Sequence, residues 1–207
     1  MTDFFLIRYG PEILQHTLEH LLLVATAIAI ATLVGIPLGI LITRKAFLRQ
    51  PVLVVANILQ TIPSLALFGL LIPVVGIGAV PAIIALTLYS FLPIIRNTYT
   101  GITNIDPAIQ EAGRGMGMTD WQLLYQVEIP LAMGVILAGV RVAAVIAVGI
   151  ATIAAAIGAG GLGVFIFRGI SVVNDQLILA GAVPAAAMAL IADYGIGWLE
   201  RQFQVKQ

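Results

Sequence analysis

The sequence predicts an all-α membrane protein with five transmembrane helices. Hydrophobic residues make up 60% of the 207 and charged residues only 10%, a composition that water-soluble domains do not reach. Uncharged or nearly uncharged runs, each long enough to cross about 30 Å of hydrocarbon at helical rise, recur along the chain. The basic residues between those runs fall mostly on one side, as they do in polytopic proteins.

Residues 1–20 mix Phe4, Phe5 and Tyr9 with Glu12, Glu19 and two histidines, and read as an amphipathic segment at the membrane surface. No basic region precedes a short apolar core, so no cleavable signal peptide is expected. The first span, 21–43, carries no charge, and Arg44, Lys45 and Arg49 follow it. The second, 51–75, holds Asn57, Gln60, Thr61 and Ser64 around Pro63. That proline removes a donor, so the helix should bend and turn these groups toward protein or a cavity. Gly76 and Gly78 mark a short turn into the third span, 77–95. Span four, 131–157, is rich in Ala, Gly and Val and contains Arg141; its small residues favour close helix contact. Ile157 to Gly169 is glycine-rich and reads as a turn or re-entrant loop. Span five, 177–199, carries Pro184 and Asp193, and residues 200–207 form a polar tail. One membrane domain, 21–199, is expected.

Between spans three and four lies the most polar stretch, Asp106 to Pro130, DPAIQEAGRGMGMTDWQLLYQVEIP. Asp106 followed by Pro107 is an N-cap with proline at the first helical position. Gly115 and Gly117 stop that helix, and Thr119 with Gln122 forms a capping-box pattern for a second one ending before Pro130. A helix-turn-helix projection is predicted. With the N-terminus outside, one side holds Arg44, Lys45, Arg49, Arg96, Arg114, Arg201 and Lys206, and the other only Arg8 and Arg168. Seven against two places the projection and the C-terminus in the cytoplasm.

Several chemistries are excluded or disfavoured. The chain has no cysteine, and no Lys/Arg cluster that would suit nucleic acid. His16 and His20 share a helix face without a third ligand, so an interfacial helix surface is expected rather than a metal site. The run Gly158 to Gly163 lacks the Lys-Ser/Thr of a phosphate loop and reads as a turn or gate by the outer mouth. No nucleophile–base set indicates catalysis, and no cofactor is expected in this chain.

The sequence EAGRGMGMTDWQLLYQVEIP resembles the cytoplasmic signature of permease subunits of ATP-binding-cassette importers, Glu-Ala-Ala, three residues, Gly, nine residues, Ile, one residue, Leu-Pro. Glu111, Ala112 and Gly113 match its opening, Gly117 its glycine, Val127 its isoleucine, Ile129 its leucine, and Pro130 its proline. NILQTIPSLALFGLLIP, LPIIRNTYTGI and IGAGGLG extend the resemblance to permeases of osmoprotectant importers, which handle glycine betaine, carnitine and choline. Methionine importer permeases share the five-span design. The resemblance implies a methionine-permease-like fold in a bacterial cell membrane, with N-terminus out and C-terminus in. It implies a cytoplasmic ATPase dimer that binds ATP and Mg, a second permease subunit, the same or paralogous, and an extracellular substrate-binding protein. It also gives Glu111, Ala112, Gly113, Gly117, Trp121, Ile129 and Pro130 a role in coupling to the ATPase.

A quaternary ammonium cargo would meet aromatic faces by cation–π attraction. Tyr89 and Phe91, with Gln60 and Ser64, are the pathway candidates. Arg141 would repel such a cargo, and a structural ion pair, with Asp193 the candidate partner, or a subunit-interface contact is its expected role. A permease for methionine or another small amino acid is the alternative within the family. Two other classes compete: a secondary transporter or channel, for which Asp193 alone is a poor ion path, and a structural membrane scaffold.

Overall fold

The computed structural model describes residues 2–203, with side chains from Tyr9 onward, and these residues are helical throughout apart from short connections. Helix α1 runs unbroken from Thr2 to Arg44. The expected break between an interfacial segment and span one is therefore absent: Glu12, Glu19 and His20 have partners in later elements, while Gln15, His16 and Thr17 bond within the helix. The last residues of the polar tail, including Lys206, lie outside the described residues.

The second predicted span is a broken pair, α2 (Ala46–Thr61) and α3 (Ser64–Val75), bent by 100°. Pro63 sits at the break, and two residues of α4 (Ala79–Thr103) support it. Pro93 has no N–H to offer the carbonyl of Tyr89 one turn earlier; the Gln60 side chain donates to that carbonyl instead, at 3.2 Å. The Tyr89 hydroxyl donates to the carbonyl of Ile62, beside the break.

Among the described residues four helices are long and apolar enough to cross a membrane, or up to five spans if the bent pair counts as one. Helix α5 (Pro107–Gly115) and a single turn, α6 (Asp120–Leu123), form the polar projection. The second short helix does not end before Pro130 as expected. It passes through a π-helical turn, Leu124–Glu128, directly into α7 (Ile129–Ala154). The Ile129 N–H bonds back five residues to Leu124, and this wider turn accommodates the proline that follows. Helix α8 (Gly163–Ser171) and α9 (Asp175–Phe203) complete the chain.

The glycine-rich stretch is thus a loop only over its first half. Gly163 and Gly169 lie inside α8, where the missing side chains let helices touch: a Cβ at Gly163 would strike the Thr152 carbonyl, and one at Gly169 would come within 2.7 Å of Ile178. Close packing outweighs the helix penalty of glycine here. Asn174 caps α9 by accepting the N–H groups of Gln176 and Leu177.

α1 packs on α4, α4 on α7, and α7 on α9, while α8 folds back on α9. Phe68, Ala82, Ala85, Leu86, Ala147 and Ala151 form the buried centre. The Gly78 N–H donates to the Ile157 carbonyl at 2.9 Å, so the α3–α4 turn and the end of α7 meet at one end of the bundle. The α5–α6 projection stands at the other.

Candidate functional site

The projection is built by local rules. Asp106 accepts the Ala108 N–H at 2.8 Å and opens α5. Gly117 adopts φ +84° at the corner, a region costly for residues with a Cβ. Thr119 and Gln122 close a reciprocal capping box, N–H to side chain at 2.9 and 3.3 Å. Two of the orphan donors at the start of α6, the N–H groups of Thr119 and Gln122, thereby find partners.

The two short helices lean on each other through Gly113, where a Cβ would meet Leu123 Cδ1 at 2.7 Å. Leu123 and Leu124 are buried beneath. The outer face is the reverse of a buried core: Trp121 is 67%, Tyr125 59% and Met116 72% exposed, with the two rings 5.0 Å apart. Glu111, Ala112, Gly117 and Pro130 are exposed, and Ile129 is half-buried. A groove lined by Ile40, Leu41, Arg44, Arg114, Trp121 and Tyr125 separates the knob from the end of α1. A small rigid knob with aromatic anchors and a charged rim suits a protein partner.

The foot of the knob holds a residue that sequence reasoning passed over. Glu128 is fully buried, and both its oxygens accept from the Arg44 guanidinium, Nη1 to Oε1 at 3.3 Å and Nη2 to Oε2. A buried carboxylate needs such a fork. Arg44 and Glu128 each border an uncharged run at the same end, but nothing in the sequence pairs them across 84 residues.

Arg141 faces α9, 3.8 Å from Asp193 and 3.2 Å from Glu200. Glu200 was assigned to the tail, yet Asp193, Gly197 and Glu200 recur at helical spacing on one face. Gly197 makes room: a Cβ there would lie 3.1 Å from Arg141 Nη1. Of the pathway candidates, Gln60 and Tyr89 meet at the α2–α3 break, as described above. Ser64 and Phe91 are partly buried.

The histidines correct an expectation. His20 lies in the interior, with no exposed surface. Its Nε2 donates to the Val148 carbonyl at 3.1 Å, and its Nδ1 accepts the Leu162 N–H at 3.3 Å, which fixes the neutral tautomer. Beside it Glu19 accepts the Gly161 N–H at 3.0 Å, Gln15 at 2.9 Å, and touches His16 at 2.7 Å. These groups serve the glycine loop rather than a membrane surface. From sequence alone the loop and the histidines, more than a hundred residues apart, carried no sign of being neighbours.

Comparison with known proteins agrees with this architecture. Residues 35–205 match the family model described as binding-protein-dependent transport system inner membrane component. A glycine betaine/carnitine/choline transport system permease protein of Bacillus subtilis is 52% identical over 193 residues, covering 93% of this chain and 84% of its own length. An osmoprotectant import permease protein of Salmonella typhimurium is 48% identical over 194 residues, covering 91% and 88%. In fold, a chain of the MetNI methionine ABC transporter, solved in inward facing conformations, superposes with TM-score 0.84 at 24% identity, covering 93% of this chain and 96% of that one. With its apolar helices and its match across most of its length, this chain belongs to the family of multi-pass inner membrane permease components of binding-protein-dependent transport systems.

Proposed function

We propose that the chain is the permease subunit of an ATP-driven importer of osmoprotectants, quaternary amines of the glycine betaine, carnitine and choline class. The observation that supports this most is the capped knob, whose family signature coincides with an exposed aromatic face on a rigid base. Glu111, Ala112, Gly113, Gly117, Trp121, Ile129 and Pro130 shape that knob, and a cytoplasmic ATPase dimer, which binds ATP and Mg, receives it. The N-terminus is outside and the C-terminus inside. A second permease subunit completes the pathway, an extracellular binding protein delivers the cargo, and Gln60, Ser64, Tyr89 and Phe91 are its candidate lining. The cargo class rests on the relatives, two of which name osmoprotectants or quaternary amines at about half identity. The likeness to the methionine transporter supports the fold alone.

The test is uptake into proteoliposomes holding the permease with its ATPase and binding protein. ATP-dependent accumulation of labelled glycine betaine, carnitine or choline, and none of methionine, is expected. Methionine uptake would replace the cargo class, and uptake by the permease alone along an ion gradient would overturn the importer reading.

A further inference from the structure

We propose that α1 and α7 move as one body during transport, held in register by two buried polar pins, and that this body carries motion of the knob to the glycine loop at the opposite end. The first pin is Arg44 on Glu128; the second is His20 on the Val148 carbonyl. The proposal rests on the importer reading above and names positioning residues for it.

The two helices run antiparallel, so pins at both ends have a consequence that one pin would not. A single pin leaves a pivot. Two pins separated by twenty-four residues of α1, about 36 Å at helical rise, and by the twenty residues from Glu128 at the foot of α7 to Val148 within it, about 30 Å, oppose both sliding and rotation. Each pin is expensive to break. Glu128 and His20 are fully buried, and separating either from its partner would leave a polar group unsatisfied where no water replaces it. Fixing register is the best-attested use of such buried groups. Between the pins the surroundings are apolar: Ala31 of α1 and Ala143 of α7 belong to one buried cluster with Ile94 of α4.

Both ends of this body hold something that matters for access. At one end Glu128 is the residue through which the knob becomes α7, so displacement of the knob is delivered to α7 and, through Arg44, to α1. At the other, Glu19 and His20 hold the N–H groups of Gly161 and Leu162. The loop has positive φ at Gly158, Gly160 and Gly161 and depends on side chains from α1 for these bonds. Moving α1 therefore moves or releases the loop.

The chain has no native cysteine, which allows a direct test in the assembled complex of permease, ATPase and binding protein. Cysteines at Ala31 and Ala143 are cross-linked, and ATP-driven glycine betaine uptake is compared before and after. A joined α1–α7 body transports at an unchanged rate once tethered; a loss of about tenfold or more overturns the proposal. In parallel, Glu128→Gln and His20→Phe are compared singly and together for cargo moved per ATP hydrolysed. Each single variant is expected to lose about tenfold in that ratio while still hydrolysing ATP, and the pair no more than either alone, because both cut one link. Normal ratios or additive losses in assembled complexes overturn it. Should the variants not assemble, the tether still decides. Absence of ATP-driven uptake in the untethered wild type would instead refute the importer reading, and hydrogen exchange then tests the link by itself: Glu128→Gln should raise exchange at Gly161 and Leu162, and unchanged exchange there overturns the proposal.

Discussion

Gly113 and Gly117 stand four residues apart in the knob and predict opposite responses to the same substitution. Nothing lies within 4 Å of a Cβ at Gly117, so the cost of Gly117→Ala comes wholly from its φ of +84°, about 1–2 kcal/mol for a left-handed residue with a side chain. At Gly113 the backbone is ordinary helix, and the closest obstacle is the flexible end of Leu123. Gly113→Ala should therefore be nearly neutral, while Gly117→Ala lowers the stability of the projection and its affinity for the ATPase. Thermal melts and titration of the partner on the two variants check this; equal effects would contradict it. Trp121 makes a separate prediction. Two-thirds exposed and stacked near Tyr125, it contributes little to the free permease, so Trp121→Ala should leave the melting temperature unchanged. As an aromatic anchor of an interface, its loss should cost about 2 kcal/mol or more of ATPase binding, measured by titration in detergent. At this scale the sequence was highly legible where the rules are local: the Asp106 cap, the Thr119–Gln122 box and the Gly117 corner follow from neighbours in the chain. Glu128 and His20 were not legible, because what makes each of them special is a partner 84 or 128 residues away.

Among the elements, the predicted spans locate the apolar helices, and their departures have physical causes. Residues 51–75 are expected as one bending helix; Pro63 produces a 100° break instead, and α4 ties down the residues just before it, accepting from Gln60 and donating to the Ile62 carbonyl. Helix α8 was read as loop because helix propensity counts glycine as a breaker, whereas Gly163 and Gly169 are contact points whose value appears only when Thr152 and Ile178 are beside them. The Tyr89 bond supplies the prediction at this level. Tyr89→Phe keeps the ring but leaves the half-buried Ile62 carbonyl without this donor, a cost of about 1 kcal/mol. The purified variant should melt lower than wild type, and hydrogen exchange should rise selectively around residues 61–64. A variant that melts normally yet alters cargo selectivity would instead make Tyr89 a pathway residue.

The whole molecule separates two kinds of polar structure by the ends of the bundle. At one end are the knob, the Arg44–Glu128 pair and the Arg141–Glu200 pair; at the other are the glycine loop, Glu19, His20 and the α8–α9 turn. Within the apolar slab, the hydroxyls of Thr87, Ser90 and Thr98 donate to carbonyls one turn earlier in their own helix, while Gln60, Tyr89 and His20 bond between helices, as a medium without water favours. The proposed orientation rests on charge: counted on the sequence, seven basic residues fall on the side of the knob and two on the other, the bias expected of a cytoplasmic knob. Because the chain lacks cysteine, single replacements report sidedness without a background. Met116 on the knob is 72% exposed and Val172 in the α8–α9 turn 60% exposed. With a membrane-impermeant thiol reagent on intact spheroplasts, Val172→Cys should label at once and Met116→Cys only after permeabilisation. The reverse pattern would turn the molecule over, put the knob beyond reach of any cytoplasmic ATPase, and remove the basis of the coupling proposal.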